Sequence, residues 1–267
     1  MQIRQLIKNT CSLLHLTTVL DELNFQYQFI LNYFDNTHFR KKNPSLKLPL
    51  NRDLYETFQL NYQRYSEDGL LAAKEIINWY QLYASPHPTH ILDWGCGTAR
   101  IIQYMPQILP QAICYAADIH SKRIEWNRKY FPQILFDIIE YNQFPYPKLY
   151  FNLVYGISVF THIHHAEQVV WLSEIHRILT TGGIAIVSTH GSNYHHQLST
   201  KQLRILNSEG VFTNNYKEQG HLLMSTYNNP EFFHKMASQY FEIEAYYNGK
   251  THPDKLGGQD IWVMKKR

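Results

Sequence analysis

The 267-residue sequence predicts an α/β fold: a mostly parallel sheet of seven strands, the last strand antiparallel, preceded by an N-terminal helical extension. Three observations predict it. From His90 onward short apolar, β-type runs alternate with helical patterns, the order that builds a parallel sheet with helices on both faces. The stretch HILDWGCGTAR, 90–100, leads one such run into two glycines spaced G-x-G. The final two runs, FEIEAYY and QDIWVMKK, have no helix between them and close the sheet as an antiparallel pair.

Taken in order, residues 1 to about 42 read as helix. Leu20, Leu23, Phe25, Tyr27, Ile30, Leu31, Tyr33 and Phe34 spread too widely for one narrow stripe, which predicts packing on more than one side. FRKKNPSLKLPLNRD, 39–53, carries two prolines and a charge run and reads as an extended connector. Residues 1–53 are therefore set apart as a helical extension, a lid or a homodimer element, from a main domain over 54–267. A second helix is expected from Leu54 to Tyr83. Strands follow at THILDW, AICYAAD, QILFDII and FNLVYGIS, with helices from Thr98 and over KRIEWNRKY. The helix AEQVVWLSEIHRIL is expected to close at Thr181-Gly182-Gly183, where glycine supplies a left-handed cap, before a fifth strand, GIAIVSTH. Residues 191–229 are polar and weakly periodic and read as a substrate-side insertion. PEFFHKMASQY is the last helix.

Composition excludes several classes. A net charge of +3 with 18% charged residues implies no strong field toward nucleic acid or an anionic membrane, and Lys265-Lys266-Arg267 reads as a solvated end. Cys11, Cys96 and Cys114 lack C-x-x-C spacing, against both a disulfide framework and structural zinc. No apolar run reaches the roughly 20 residues of a membrane span, and MQIRQLIKNTCSLLHL has no small-residue cleavage site. A cytoplasmic protein is expected.

Gly95 and Gly97 let the backbone turn sharply beside a ligand, and Asp118, about 20 residues on at the end of the second strand, is placed to bond ribose hydroxyls. A dinucleotide would suit these features too. Two details oppose it: Arg100 stands where the third glycine of G-x-G-x-x-G belongs, and Asp93 would repel a pyrophosphate while attracting a sulfonium or an ammonium group. A nicotinamide-dependent oxidoreductase is disfavoured on the same ground.

Here the sequence resembles the class I S-adenosylmethionine-dependent methyltransferases, whose sheet is Rossmann-like. ILDWGCGTAR is similar to their first motif, AADIHSKRIEW to the segment with the ribose-binding acid, FNLVYGISVFTHI to the fourth-strand segment and WLSEIHRILTTGGIAIVSTHG to the fifth. The resemblance is collinear over about 54–267 and looks most like a subgroup associated with bacterial polysaccharide or secondary-metabolite biosynthesis. Asn152 stands where an Asp is common. The resemblance implies S-adenosylmethionine as cofactor, held by Asp93, Gly95, Cys96, Gly97, Arg100, Asp118, Ile119, Ile139, Glu140, Gly156 and Ile157. Within that set, Cys96 is expected to offer its backbone N–H, and Arg100 reads equally as a ligand neighbour and as the solvated third residue of a helix. Trp126 reads as packing.

A hydroxyl acceptor needs its proton removed, and side chains for this belong at the carboxyl ends of the fourth and fifth strands. His190 is the first choice as general base and His162 the second, with His164 and His165 as helix-start residues. Tyr194, His195 and Tyr227 are expected to bind the acceptor, and Tyr27, Tyr33, Phe34 and Tyr216 to help cover it. His-Ile-His-His fits no metal-ligand spacing, and no metal is expected. GISVF is unlike the Asn/Asp-Pro-Pro-Tyr of amino-directed DNA methyltransferases. The sequence therefore predicts methyl transfer to a hydroxyl of a small molecule or glycan, with N-methylation, or a catalytically silent binding module, as alternatives.

Overall fold

The computed structural model describes residues 17–85, 87–140, 142–215, 224–254 and 256–267. The expected helix over 1–16, Cys11 and Tyr216 lie outside them. One sheet organises the main domain. Its strands are β1 (His90–Trp94), β2 (Ile113–Asp118), β3 (Leu135–Ile138), β4 (Phe151–Gly156), β5 (Leu179–Thr189), β8 (Phe241–Tyr247) and β9 (Asp260–Lys266), in the order β3-β2-β1-β4-β5-β9-β8. The first five are parallel, and β9 runs antiparallel to both neighbours. This is the predicted α/β architecture with its antiparallel last strand.

Helices cover both faces. On one lie α3 (Tyr62–Tyr83), the four-residue α4 (Met105–Ile108) and α5 (Ser121–Tyr130), and their Ala73, Ile76, Met105 and Ile124 pack against Ile91, Ala116, Leu153 and Ile186. On the other, α6 (His165–Ile178) and α8 (Pro230–Ala237) pack Trp171, Leu172, Ile175 and Phe233 against Leu92, Val154, Ala185 and Trp262. Both strand faces are buried, which explains why β4 and β5 read as nearly unbroken apolar runs.

Several local expectations are corrected. The helix expected over 54–83 is two, α2 (Asn51–Thr57) and α3. The chain breaks at Phe58, whose φ of −153° is non-helical, and restarts where Asn61 accepts from the Arg64 N–H as an N-cap. No regular helix begins at Thr98: a turn and the 3₁₀ segment Ile102–Tyr104 precede α4, whose start accommodates Pro106. Helix α6 ends at Ile178, and β5 begins at Leu179, so Gly182, at φ +76°, lies within that strand segment and caps no helix. Lys266 is no solvated end. It is buried in β9, and its Nζ donates to the carbonyls of His176 and Leu179 at the end of α6.

The region 191–229 is ordered framework over its described length: a 3₁₀ segment (Ser192–Gln197), α7 (Thr200–Glu209) with a Ser199/Gln202 capping box, and the hairpin β6 (Val211–Asn215) with β7 (Met224–Asn228). Tyr227 bridges His190, which docks the hairpin on the end of β5. At the N-terminal side α1 (Thr17–Lys42) lies on α2 and α3, with Phe25, Phe29 and Phe39 against Leu54, Leu60, Tyr62 and Tyr65. No described helix is long and apolar enough to cross a membrane.

Candidate functional site

A cavity of about 740 Å³ opens at the carboxyl ends of β1, β2 and β4, where an open α/β sheet takes its ligands. Its floor is the loop after β1. Gly95 and Gly97 adopt φ of +70° and +52°, and Ala99 follows at +58°. A Cβ on Gly95 would lie 2.5 Å from Val159 Cγ2, so glycine is needed there for space as well as for conformation.

The loop is held by its neighbours. The N–H groups of Gly95 and Cys96 donate to the Ala117 carbonyl at 2.8 and 3.2 Å. Cys96 therefore does not present its N–H to a ligand as expected, and burial pushes its thiol well above the usual range, which removes it as a nucleophile. Gly97 N–H donates to Asp118 Oδ2 at 2.8 Å, Asn127 Nδ2 donates to the Gly97 carbonyl at 2.9 Å, and the Tyr65 hydroxyl donates to the Thr98 carbonyl at 2.7 Å.

Two of the carboxyls lining this cavity flank the glycine loop. Asp118 takes the Gly97 N–H on Oδ2 and the His120 N–H on Oδ1, leaving each oxygen capacity for a further donor. Asp93 is buried, and desolvation pushes its carboxyl up to about 8. Such a group is stabilised in its charged form by a ligand cation. Ile119, Ile139 and Ile157 give the same wall apolar surface. Arg100 lines it with its guanidinium 4.3 Å above the Phe58 ring, so its side chain is not the solvated one of the alternative reading.

Of the remaining expected cofactor residues, Glu140 is exposed and off the cavity wall, because its backbone turns back in a bridge to Gln143. Gly156 is not on the wall, and a Cβ there would lie 2.6 Å from the Trp94 ring. Trp126 packs on Tyr130 and Phe131, away from the cavity.

The histidines separate. His162 lines the cavity, and its Nδ1 lies 2.7 Å from the Met224 carbonyl oxygen. A carbonyl can only accept, so Nδ1 carries the proton and the neutral ring's lone pair is on Nε2. His190 stands behind. It is buried between Tyr194, stacked at 4.4 Å, and Tyr227 at 5.2 Å, and is absent from the wall. Burial, then the neighbouring His162, pushes its pKa down to about 3, a poor value for a base at neutral pH. Tyr194 is on the wall, its hydroxyl donating to the Gly257 carbonyl. His195 and Tyr227 are not, since the Tyr227 hydroxyl is turned to Gln197. His164 is the N-cap of α6, accepting from Ala166 N–H.

Sequence reasoning missed part of the wall. One face of α3 supplies Arg64, Asp68, Leu71, Ala72 and Glu75, α2 supplies Glu56 and Thr57, and Phe58 follows at the break. Their mixed polarity at helical spacing reads as an ordinary half-solvated face, so no local signal marks them. Ser158 and Gln259 were missed too. Ser158, at φ +65°, donates its N–H to Ser188 Oγ, Ser188 donates to Gln259 Oε1, and Gln259 Nε2 donates to Ser158 Oγ, closing a ring across β4, β5 and β9. Asn152 serves the opposite end of the sheet, accepting from the N–H groups of Thr89 and His90.

Residues 91–183 match the family described as methyltransferase domain. Several solved structures share the fold. An amino pentose methyltransferase of calicheamicin biosynthesis from Micromonospora echinaspora, CalS10, solved with S-adenosylmethionine bound, is 13% identical with a TM-score of 0.58, over 83% of this chain and 98% of that one. Streptomyces venezuelae DesVI is 14% identical with a TM-score of 0.58, over 83% and 100%. A toxoflavin-precursor N1-methyltransferase from Burkholderia thailandensis is 13% identical with a TM-score of 0.53, over 75% and 79%. The match over residues 91–183 supports an enzyme with S-adenosylmethionine as its cofactor.

Proposed function

We propose that the protein transfers a methyl group from S-adenosylmethionine to a hydroxyl of a small molecule or glycan. The observation that carries the reading is a single cavity lined both by the glycine loop with Asp93 and Asp118 and by the Nδ1-protonated His162. S-adenosylmethionine supplies a methyl group on a positively charged sulfur, already a strong electrophile. Asp118 accepts from the ribose hydroxyls. Asp93 would attract the cationic methionine end, and Ile119 and Ile139 would offer apolar surface to the adenine. Gly95 and Gly97 allow the close approach, with Cys96, Arg100 and Ile157 completing the wall. His162 takes the acceptor proton on Nε2 while Met224 holds Nδ1–H, fixing the ring's tautomer. His190 braces Tyr194, which contacts the acceptor.

An amine acceptor is the second reading. The wall carries Asp68, Glu75 and Asp254, side chains suited to a cationic group, and a free amine already has the lone pair that attacks.

A screen of hydroxylated and aminated small molecules and glycans, read by release of S-adenosylhomocysteine, tests the proposal. Turnover of a hydroxyl acceptor supports it. Cofactor binding without turnover of any acceptor favours a silent binding module, and turnover confined to amines selects the second reading.

A further inference from the structure

Helix α1 is apolar on two sides: Phe25, Phe29 and Phe39 face the domain, and a second apolar strip faces outward. Its inner side is keyed by polar contacts: Asp21 accepts from the Tyr55 hydroxyl and from Arg52, and Asn36 bonds both the Leu60 carbonyl and the Tyr62 N–H. The outer side is apolar. Tyr27, Ile30 and Phe34 are 61, 70 and 81% exposed, and Val19, Leu23, Leu31 and Tyr33 are each at least half exposed.

Leu20, Leu23, Tyr27, Ile30 and Phe34 follow one another at alternating steps of three and four residues, the seam of a coiled coil. The flanking positions Asn24, Gln26, Leu31, Tyr33 and Thr37 carry no charge either. An uncharged, aromatic-rich strip is the composition of an interface core. Seven half-exposed apolar side chains present about 700 Å² on the scale of aromatic and aliphatic residues, close to the ~800 Å² per partner of a stable interface.

The strip is also complementary to itself. In an antiparallel pair about a two-fold axis level with residues 28 and 29, Tyr27 meets Ile30 and Leu23 meets Phe34, so each ring faces an aliphatic side chain. The seam from Leu20 to Phe34 carries no Lys or Arg; the basic Arg40, Lys41 and Lys42 lie beyond it, in the last turn of the helix. We propose that the outer face of α1 is the surface through which two copies of this chain form an antiparallel homodimer.

Sedimentation equilibrium and light scattering on the full chain test it. At tens of micromolar the wild type should show twice the 31.7 kDa chain mass. The Ile30→Glu/Phe34→Glu variant should show the single mass, with S-adenosylhomocysteine binding unchanged by calorimetry. A second measurement does not depend on that variant folding. In a Cys11→Ser background, Leu23→Cys/Phe34→Cys should form a disulfide-linked dimer under mild oxidation, and neither single cysteine should. A monomeric wild type, whether free or bound to anionic vesicles, overturns the proposal. So does a charged variant that stays dimeric, or cross-linking by Leu23→Cys or Phe34→Cys alone.

Discussion

The imidazole of His162 donates its Nδ1–H to the main-chain carbonyl of Met224 at 2.7 Å, joining the segment after β4 to the first residue of β7. The side chain facing the cavity is thus oriented by a hairpin more than 60 residues away in sequence.

His162→Ala should lower kcat by about 10²–10⁴-fold on a hydroxyl acceptor, with the cofactor Kd little changed. His162→Gln keeps a hydrogen-bonding side chain but cannot take the proton, and should do no better. The pH–rate profile should lose its imidazole limb. An alanine variant within a few-fold of wild type would remove the base and leave positioning alone, the outcome expected of an amine acceptor.

Asp93 is expected to give cofactor binding a pH dependence. Its carboxyl is raised by burial to about 8, and the cationic end of the cofactor favours the ionised form, so binding below that pH should release a proton. Affinity should weaken as pH falls from 8 to 6. Calorimetry in two buffers of different ionisation enthalpy reads the proton directly. The sign for stability is opposite: from the ordinary carboxyl range up to about pH 8 the folded protein holds a proton that the unfolded chain has lost. The ligand-free protein should therefore lose stability as pH rises through that window. Asp93→Asn should flatten both dependences; unchanged slopes in that variant would assign them to another group.

Asp118→Ala should weaken S-adenosylmethionine on the order of 1.5–3 kcal/mol, the value of a hydrogen bond to a charged group. The melting temperature should fall as well, because the N–H groups of Gly97 and His120 lose their acceptor. A lowered melting temperature with unchanged affinity would make Asp118 a support of the loop only.

Deleting residues 1–42 removes Phe25, Phe29 and Phe39 from Leu54, Leu60, Tyr62 and Tyr65. Stability should fall by about 3 kcal/mol or more. Cofactor affinity should fall with it, since Tyr65 holds the Thr98 carbonyl and Thr57 the Thr98 hydroxyl. Chemical denaturation and calorimetry check the two effects, and full affinity in a folded truncated chain would show that the loop stands without α1.

The sequence by itself determined the strands, their mostly parallel direction and the glycine loop with its two acids. Those features are local: apolar runs of strand length, a turn that only glycine reaches without strain, and a carboxyl at the end of the next strand. Asp93, Gly95, Gly97 and Asp118 come together because β1 and β2 are adjacent and in register, with Asp93 opposite Ala116.

Only the tertiary structure decided which histidine meets the cavity. His190 follows β5 as the sequence suggests, but the hairpin and Tyr194 close over it, and burial lowers its basicity. His162, on a 3₁₀ turn with no strand parity to aim it, is turned to the wall and held by Met224. The α3 face and the Ser158–Ser188–Gln259 ring were hidden for the same reason. Periodicity says that a side chain lies on a face, but what covers that face is set by segments distant in sequence, and so are solvation, hydrogen-bond partners and pKa.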